Sequence, residues 1–330
     1  EPHKRHFASL GIPAEKIFTG YDAVDNVYLA AKADEVRSME HGAWSRDGET
    51  KAEAGDLKPE VGQTERRSMR EAYGLPERYF LSLGRMVGKK NLATLVGAYA
   101  KFCDGSRGLA RQPLGNRVTS DGSARQTPAS LVFVGSGELE GTLKEQARDL
   151  GLTVIDHSSW KAGESSETRD QQLATRDEEN RGTVFFYGFR QIEENAVFYA
   201  LAEAFVLPSL YEEWGLVVNE AMAAGLPVIV SRTAGCAEDL VPSSGNMERG
   251  AWSMEQEADV RAARPYLEQR SNGFAFDPAS SDALATALTR VAESEDLRLE
   301  MGQRSREIVA KFSCDNFARQ AMRAAKAATP

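Results

Sequence analysis

Two groups of charged residues stand where packing alone gives no reason for them. Glu220 lies inside a helical run, with Leu216 and Val217 one turn before it and Ala223 and Ala224 one turn after. Residues three and four apart share a helix face, so this carboxylate sits among apolar neighbours. A buried carboxylate without a partner is costly, so a partner must exist: a salt bridge to an arginine, or a loop amide that it caps. The second group is basic. Gly84-Arg85-Met86-Val87-Gly88-Lys89-Lys90-Asn91 follows a strand and opens a helix. Arg85, Lys89 and Lys90 there oppose the helix macrodipole, which makes sense if an anion binds. Helix N-termini at strand ends carry free backbone amides and are natural phosphate sites. A solvated basic loop is the other reading, and Asn91 reads equally as a plain N-cap.

The elements that must hold these groups alternate. Phe205–Leu207 is a strand broken by Pro208-Ser209, and the acidic loop Tyr211-Glu212-Glu213-Trp214-Gly215 follows. A helix from Leu216 to Ala224, a Gly225 stop and a second strand from Pro227 to Val230 complete a unit that builds parallel sheets. Ligands of such sheets bind outside the carboxyl ends of the strands. Further strands are expected at Tyr79–Leu83, Leu131–Val134, Thr153–Ile155 and Thr183–Tyr187, and an extended segment at Gly273–Pro278. Helices are expected from near Asn91, from about 139 to 150, 193 to 202, 238 to 241, 282 to 293 and 296 to 311, and in a tail from Asp315. The chain opens with a basic helical-looking piece and a short strand at Ile17-Phe18, and a partial helix begins near Ala33. The pattern predicts an α/β class: a doubly wound, Rossmann-like parallel sheet with helices on both faces. Four polar, aperiodic stretches, about 34–66, 103–129, 157–181 and 243–271, read as surface insertions.

The turn Gly135-Ser136-Gly137 follows a strand, precedes a helix and has Asp156 about twenty residues on. That approaches a dinucleotide fingerprint, but Glu140 holds the third glycine's place and Gly141 comes one residue late. A tight turn approached by a ligand or another backbone fits better. The 330 residues have room for one large or two ordinary domains, and a net charge of −9 with pI near 5.2 argues against a nucleic-acid partner. Cys103, Cys236 and Cys314 form no CxxC pair, and the four histidines show no metal spacing, so free thiols in a reducing, cytoplasmic setting and no metal site are expected. No run reaches transmembrane length.

In order, these pieces resemble the retaining, nucleotide-sugar-dependent glycosyltransferases of family 4, which have the GT-B fold. EEWGLVVNEAMAAGLPV, from Glu212 to Val228, is similar to that family's E-x7-E segment, with Glu213 in place of a glycine and Trp214 in place of a phenylalanine. Gly84-Arg85 with Lys90-Asn91 is similar to its basic segment, and the turn at Gly135, the strand ending Gly188-Phe189 and Asn272–Pro278 follow in the family's order. Leu10–Asp25 resembles its interdomain link. The resemblance implies roles. Arg85 and Lys90, beside Gly84, would take the donor diphosphate. Amides near Gly215, Leu216 and Val217 would assist. Glu220 would accept from the ribose hydroxyls, Glu212 would approach the sugar, and the base would lie on backbone near Phe189. The donor would be a UDP-, GDP- or ADP-sugar, with no cofactor and no metal.

On that reading residues 1–75 are a linker-like segment, 76–312 the nucleotide-sugar-binding domain and 313–330 a helical tail: the C-terminal half of a GT-B fold. The N-terminal acceptor domain is expected in the same or another chain, and any peripheral membrane contact through it. Two further readings stay open: a non-catalytic nucleotide-sugar-binding module, and a NAD-dependent oxidoreductase resting on Gly135, Gly137 and Asp156.

Overall fold

The computed structural model describes residues 8–13, 23–42, 68–110, 128–160, 182–242 and 267–328. The expected strand at Ile17-Phe18 and most of the four polar stretches lie outside these residues. Among these residues eight strands form one sheet in the order β3-β4-β2-β1-β5-β6-β8-β7. They are β1 (Tyr79–Leu83), β2 (Ser130–Val134), β3 (Thr153–Asp156), β4 (Thr183–Phe186), β5 (Ala204–Leu207), β6 (Val228–Ser231), β7 (Leu267–Arg270) and β8 (Gly273–Phe276). All neighbours are parallel except β7, which pairs antiparallel with β8.

The strands are apolar on both sides because both sides are covered. Alternate residues supply two separate cores. Tyr79, Leu81, Val132, Val134, Phe205, Leu207, Val228 and Val230 enter one. Phe80, Leu131, Phe133, Ala204, Val206 and Ile229 enter the other. The helices Ile192–Leu201 and Leu216–Ala223 cover the first face, and Leu92–Ala110, Glu140–Asp149 and Ser281–Glu293 the second. This is the doubly wound arrangement the alternation predicts.

Two elements were not legible. β7 falls in the polar stretch taken as aperiodic; an edge strand paired on one side needs no apolar alternation to be held in the sheet. The short helix Met69–Tyr73 has five residues, too few to show a helical period, and is held at its start by a capping box of Ser68 with Glu71. The partial helix expected near Ala33 is longer, Asn26–Gly42, and buries Leu29, Ala33 and Val36 in the first core beside the body of residues 76–312. From it Arg37 donates to the carbonyls of Ala200 (2.9 Å) and Ala224 (2.6 Å), at the C-terminal ends of the two helices on that face. A cation there satisfies orphan carbonyls and meets the negative helix ends. Arg37→Met is expected to cost about 2 kcal/mol, read as a lower urea midpoint at unchanged m-value. No helix among the described residues is long and apolar enough to cross a membrane.

Candidate functional site

The strand order reverses between β1 and β5: β2 and β4 lie to one side of that pair, β6 and β8 to the other. The crevice at the carboxyl ends of such a pair is where open α/β sheets bind ligands. The basic segment leaves β1 at this point and the acidic loop leaves β5 at this point. Gly84, Arg85, Lys90, Leu207 and Pro208 line a small cleft between them.

The two loops are stitched together. Leu210 N donates to Lys89 O (2.9 Å), and the Asn91 amide donates to the carbonyls of Pro208 (3.1 Å) and Pro278 (2.9 Å). Asn91 has the left-handed φ of 55° that ends the Gly88–Lys90 turn. Its Oδ1 accepts from the Thr94 hydroxyl (2.8 Å). Asn91 is thus a clamp joining three loops rather than a plain N-cap. Lys90 reaches across and pairs with Glu212, both side chains largely buried. Arg85 is exposed at the mouth, and its guanidinium makes no hydrogen bond or ion pair among the described residues.

Glu212 is held from several sides. Ser209 Oγ donates to its Oε2 (3.3 Å), and its carbonyl accepts from Gly235 N (2.8 Å). A Cβ on Gly235 would fall 1.9 Å from the Glu213 carbonyl oxygen, so only glycine allows this approach. Gly215 ends the loop at φ 101°, with a virtual Cβ 3.3 Å from Glu212 Cγ, and starts the Leu216–Ala223 helix whose first amides face the loop. Trp214, where the resembled family has phenylalanine, donates Nε1 to Asn219 Oδ1 (2.9 Å), which gives the larger indole a fixed place.

Glu220 is positioned differently from its expected neighbours. It does not line the cleft, and its Oε2 accepts from the Tyr199 hydroxyl (2.8 Å). The partner demanded by the sequence is thus a neutral phenol, neither an arginine nor a loop amide. Burial raises the Glu220 carboxyl above the ordinary range, and the Tyr199 hydrogen bond opposes the rise. The folded chain then holds a proton more tightly than the unfolded one, so this group lowers stability as pH rises from the ordinary value through the raised one. Glu220→Gln is expected to raise the melting temperature at pH 7 and to remove that part of the pH dependence. Thermal scans from pH 4 to 8 check it.

Phe189 is exposed beyond Gly188, whose carbonyl accepts from Gly135 N (2.7 Å). The Phe189 carbonyl itself accepts from Arg190 Nη1 (3.4 Å). The glycines of the 135–137 turn serve another backbone. A Cβ on Gly135 would lie 2.1 Å from Gly84 O, and one on Gly137 2.5 Å from Met86 O. Burial opposes ionisation of Asp156, but hydrogen bonds from Lys144 (2.7 Å) and Ser158 outweigh it and hold the carboxyl down at about 2. The features behind a dinucleotide site are therefore engaged within the protein. Sequence reasoning missed Tyr199, Ser209, Asn219 and Gly235. Only Gly235, a glycine in the loop after the strand β6, carried a readable signal.

Residues 162–247 match the family described as Glycosyl transferases group 1. The chain is 23% identical over 253 residues to an uncharacterized glycosyltransferase of Methanocaldococcus jannaschii, covering 76% of this chain and 45% of that protein. It is 26% identical over 262 residues to a GDP-mannose-dependent alpha-(1-6)-phosphatidylinositol monomannoside mannosyltransferase of Mycobacterium tuberculosis, covering 77% and 49%. The chain thus spans about half the length of these relatives. Among solved structures, HepE of Anabaena in complex with UDP superposes with TM-score 0.52 at 17% identity, covering 98% of this chain and 61% of that one. The fold is that of one Rossmann-like half of a GT-B glycosyltransferase.

Proposed function

We propose that this chain supplies the donor-binding half of a retaining glycosyltransferase of the family 4 type, using a nucleotide-diphosphate sugar. One observation carries the reading: at the switch point, Arg85 and Lys90 after β1 line a cleft, and Lys90 pairs across it with Glu212 in the loop after β5, just ahead of the helix that starts at Gly215. Breaking a sugar–phosphate bond builds negative charge on the departing diphosphate. The Arg85 guanidinium, the Lys90 ammonium held beside Glu212, and backbone amides at the helix start would stabilise that charge without a metal. Glu212, beside Lys90, is assigned to the sugar hydroxyls, Glu220 to the ribose, and backbone near Phe189 to the base. No protein nucleophile is assigned, so retention is taken to follow attack from the leaving-group face. The acceptor is assigned to a partner domain in the same or another chain, since transfer requires both reactants held together. The cytoplasmic setting suggested by three free cysteines belongs to the same proposal.

Calorimetry with UDP, GDP, ADP and NAD tests the reading. One nucleoside diphosphate is expected to bind, and Arg85→Ala to weaken it about tenfold, as for loss of one charge-assisted contact. Binding of NAD alone, unaffected by Arg85→Ala, would sink the proposal.

A further inference from the structure

We infer that Tyr199 is a positioning residue: its hydroxyl fixes one oxygen of Glu220 so that the other is presented to the ribose hydroxyls of a bound nucleotide. The inference rests on the donor-site reading above and adds to it a residue from a different helix.

Three other partly buried carboxylates of this body meet cations. Glu40 pairs with Arg70, Glu203 with Arg78 and Glu212 with Lys90. Glu220 makes no ion pair among the described residues; its partner is the Tyr199 phenol at 2.8 Å. A carboxylate has about four acceptor positions, and one hydroxyl fills one of them. Oε2 is held, while Oε1 has no hydrogen-bond partner among the described residues, and the residue is only partly buried. A neutral donor orients the group yet leaves its charge available. A cation would compete with hydroxyl donors for the same oxygens.

Tyr199 is rigidly placed for this task. It lies in Ile192–Leu201, where every residue from Ala196 to Leu201 is buried. Its ring packs on Phe205 of β5, with centroids 5.9 Å apart. A phenylalanine would fill this space equally well; the hydroxyl is what reaches Glu220. Burial and the adjacent carboxylate push the phenol well up, so it stays a donor throughout the physiological range.

The test compares Tyr199→Phe with wild type in the full chain. Whichever of UDP, GDP and ADP binds tightest is titrated alongside its 2′,3′-dideoxy counterpart. Wild type is expected to prefer the ribose form about tenfold, the scale of a hydrogen bond to a charged group. Tyr199→Phe should lose most of that preference by weakening the ribose form alone. In a Glu220→Gln background it should cause no further loss, because Tyr199 acts through Glu220. Unchanged preference in Tyr199→Phe overturns the inference and leaves the donor site standing. So does equal weakening of both ligands, which would mark a general packing role. If wild type binds no nucleotide, the donor-site reading fails and the inference with it. Should Tyr199→Phe fail to fold, the ribose preference of Glu220→Gln decides: a preference kept in that variant overturns the inference, and one lost there supports it.

Discussion

Lys90→Ala is expected to weaken nucleoside diphosphate binding by about 10- to 100-fold while leaving nucleoside binding nearly unchanged, the difference corresponding to about 1.5–3 kcal/mol for a hydrogen bond to a charged group. The same substitution should destabilise the free protein. Lys90 and Glu212 are largely buried together, and removing the cation strands the carboxylate. Breaking a fully buried pair costs about 3–5 kcal/mol, and this pair, which keeps some solvent contact, should cost less, about 2 kcal/mol. The two effects separate in a double mutant. Glu212→Gln on the Lys90→Ala background should recover most of the lost stability and none of the diphosphate affinity. Chemical denaturation and calorimetry on the four variants check this. Equal loss of nucleoside and diphosphate binding would make Lys90 a structural residue only.

Gly135→Ala is expected to cost about 3 kcal/mol or more, because it adds a side chain at φ 126° and drives its Cβ to 2.1 Å from Gly84 O. Gly137→Ala should cost a similar amount through the Met86 carbonyl, 2.5 Å from its added Cβ. Gly141 has nothing within 4 Å of a virtual Cβ and lies in the Glu140–Asp149 helix. Gly141→Ala should therefore stabilise by about 0.5–1 kcal/mol. Thermal unfolding ranks the three. If the first two glycines existed for a dinucleotide, Gly137→Ala would fold normally and lose NAD binding instead. A normal melting temperature for Gly137→Ala would overturn the close-approach account.

How much was legible depended on the residues. Parallel strands buried on both faces read as continuous apolar runs, so β1, β2, β4, β5 and β6 are plain in the sequence. The 3.6-residue spacing of Leu92, Leu95, Val96 and Tyr99 did the same for the helix they bury. β7 was not legible, because an edge strand is held by backbone pairing that leaves little mark on composition. The basic and acidic segments were recognisable as a pair only through their resemblance to a family, since 122 positions separate Lys90 from Glu212.

By itself the sequence determined the α/β class, the placement of Arg85, Lys90 and Glu212 at strand ends, and the need of Glu220 for a partner. Those follow from local periodicity and from the cost of burying charge, both readable within a few turns. Only the tertiary structure decided which groups meet. Strand order brings β1 beside β5 and so Lys90 to Glu212. Packing of Ile192–Leu201 on the first face brings Tyr199 to Glu220. The close approach of two turns decides why residues 135 and 137 are glycine. Contacts of this kind depend on which elements become neighbours, and side-chain spacing along one chain does not encode that.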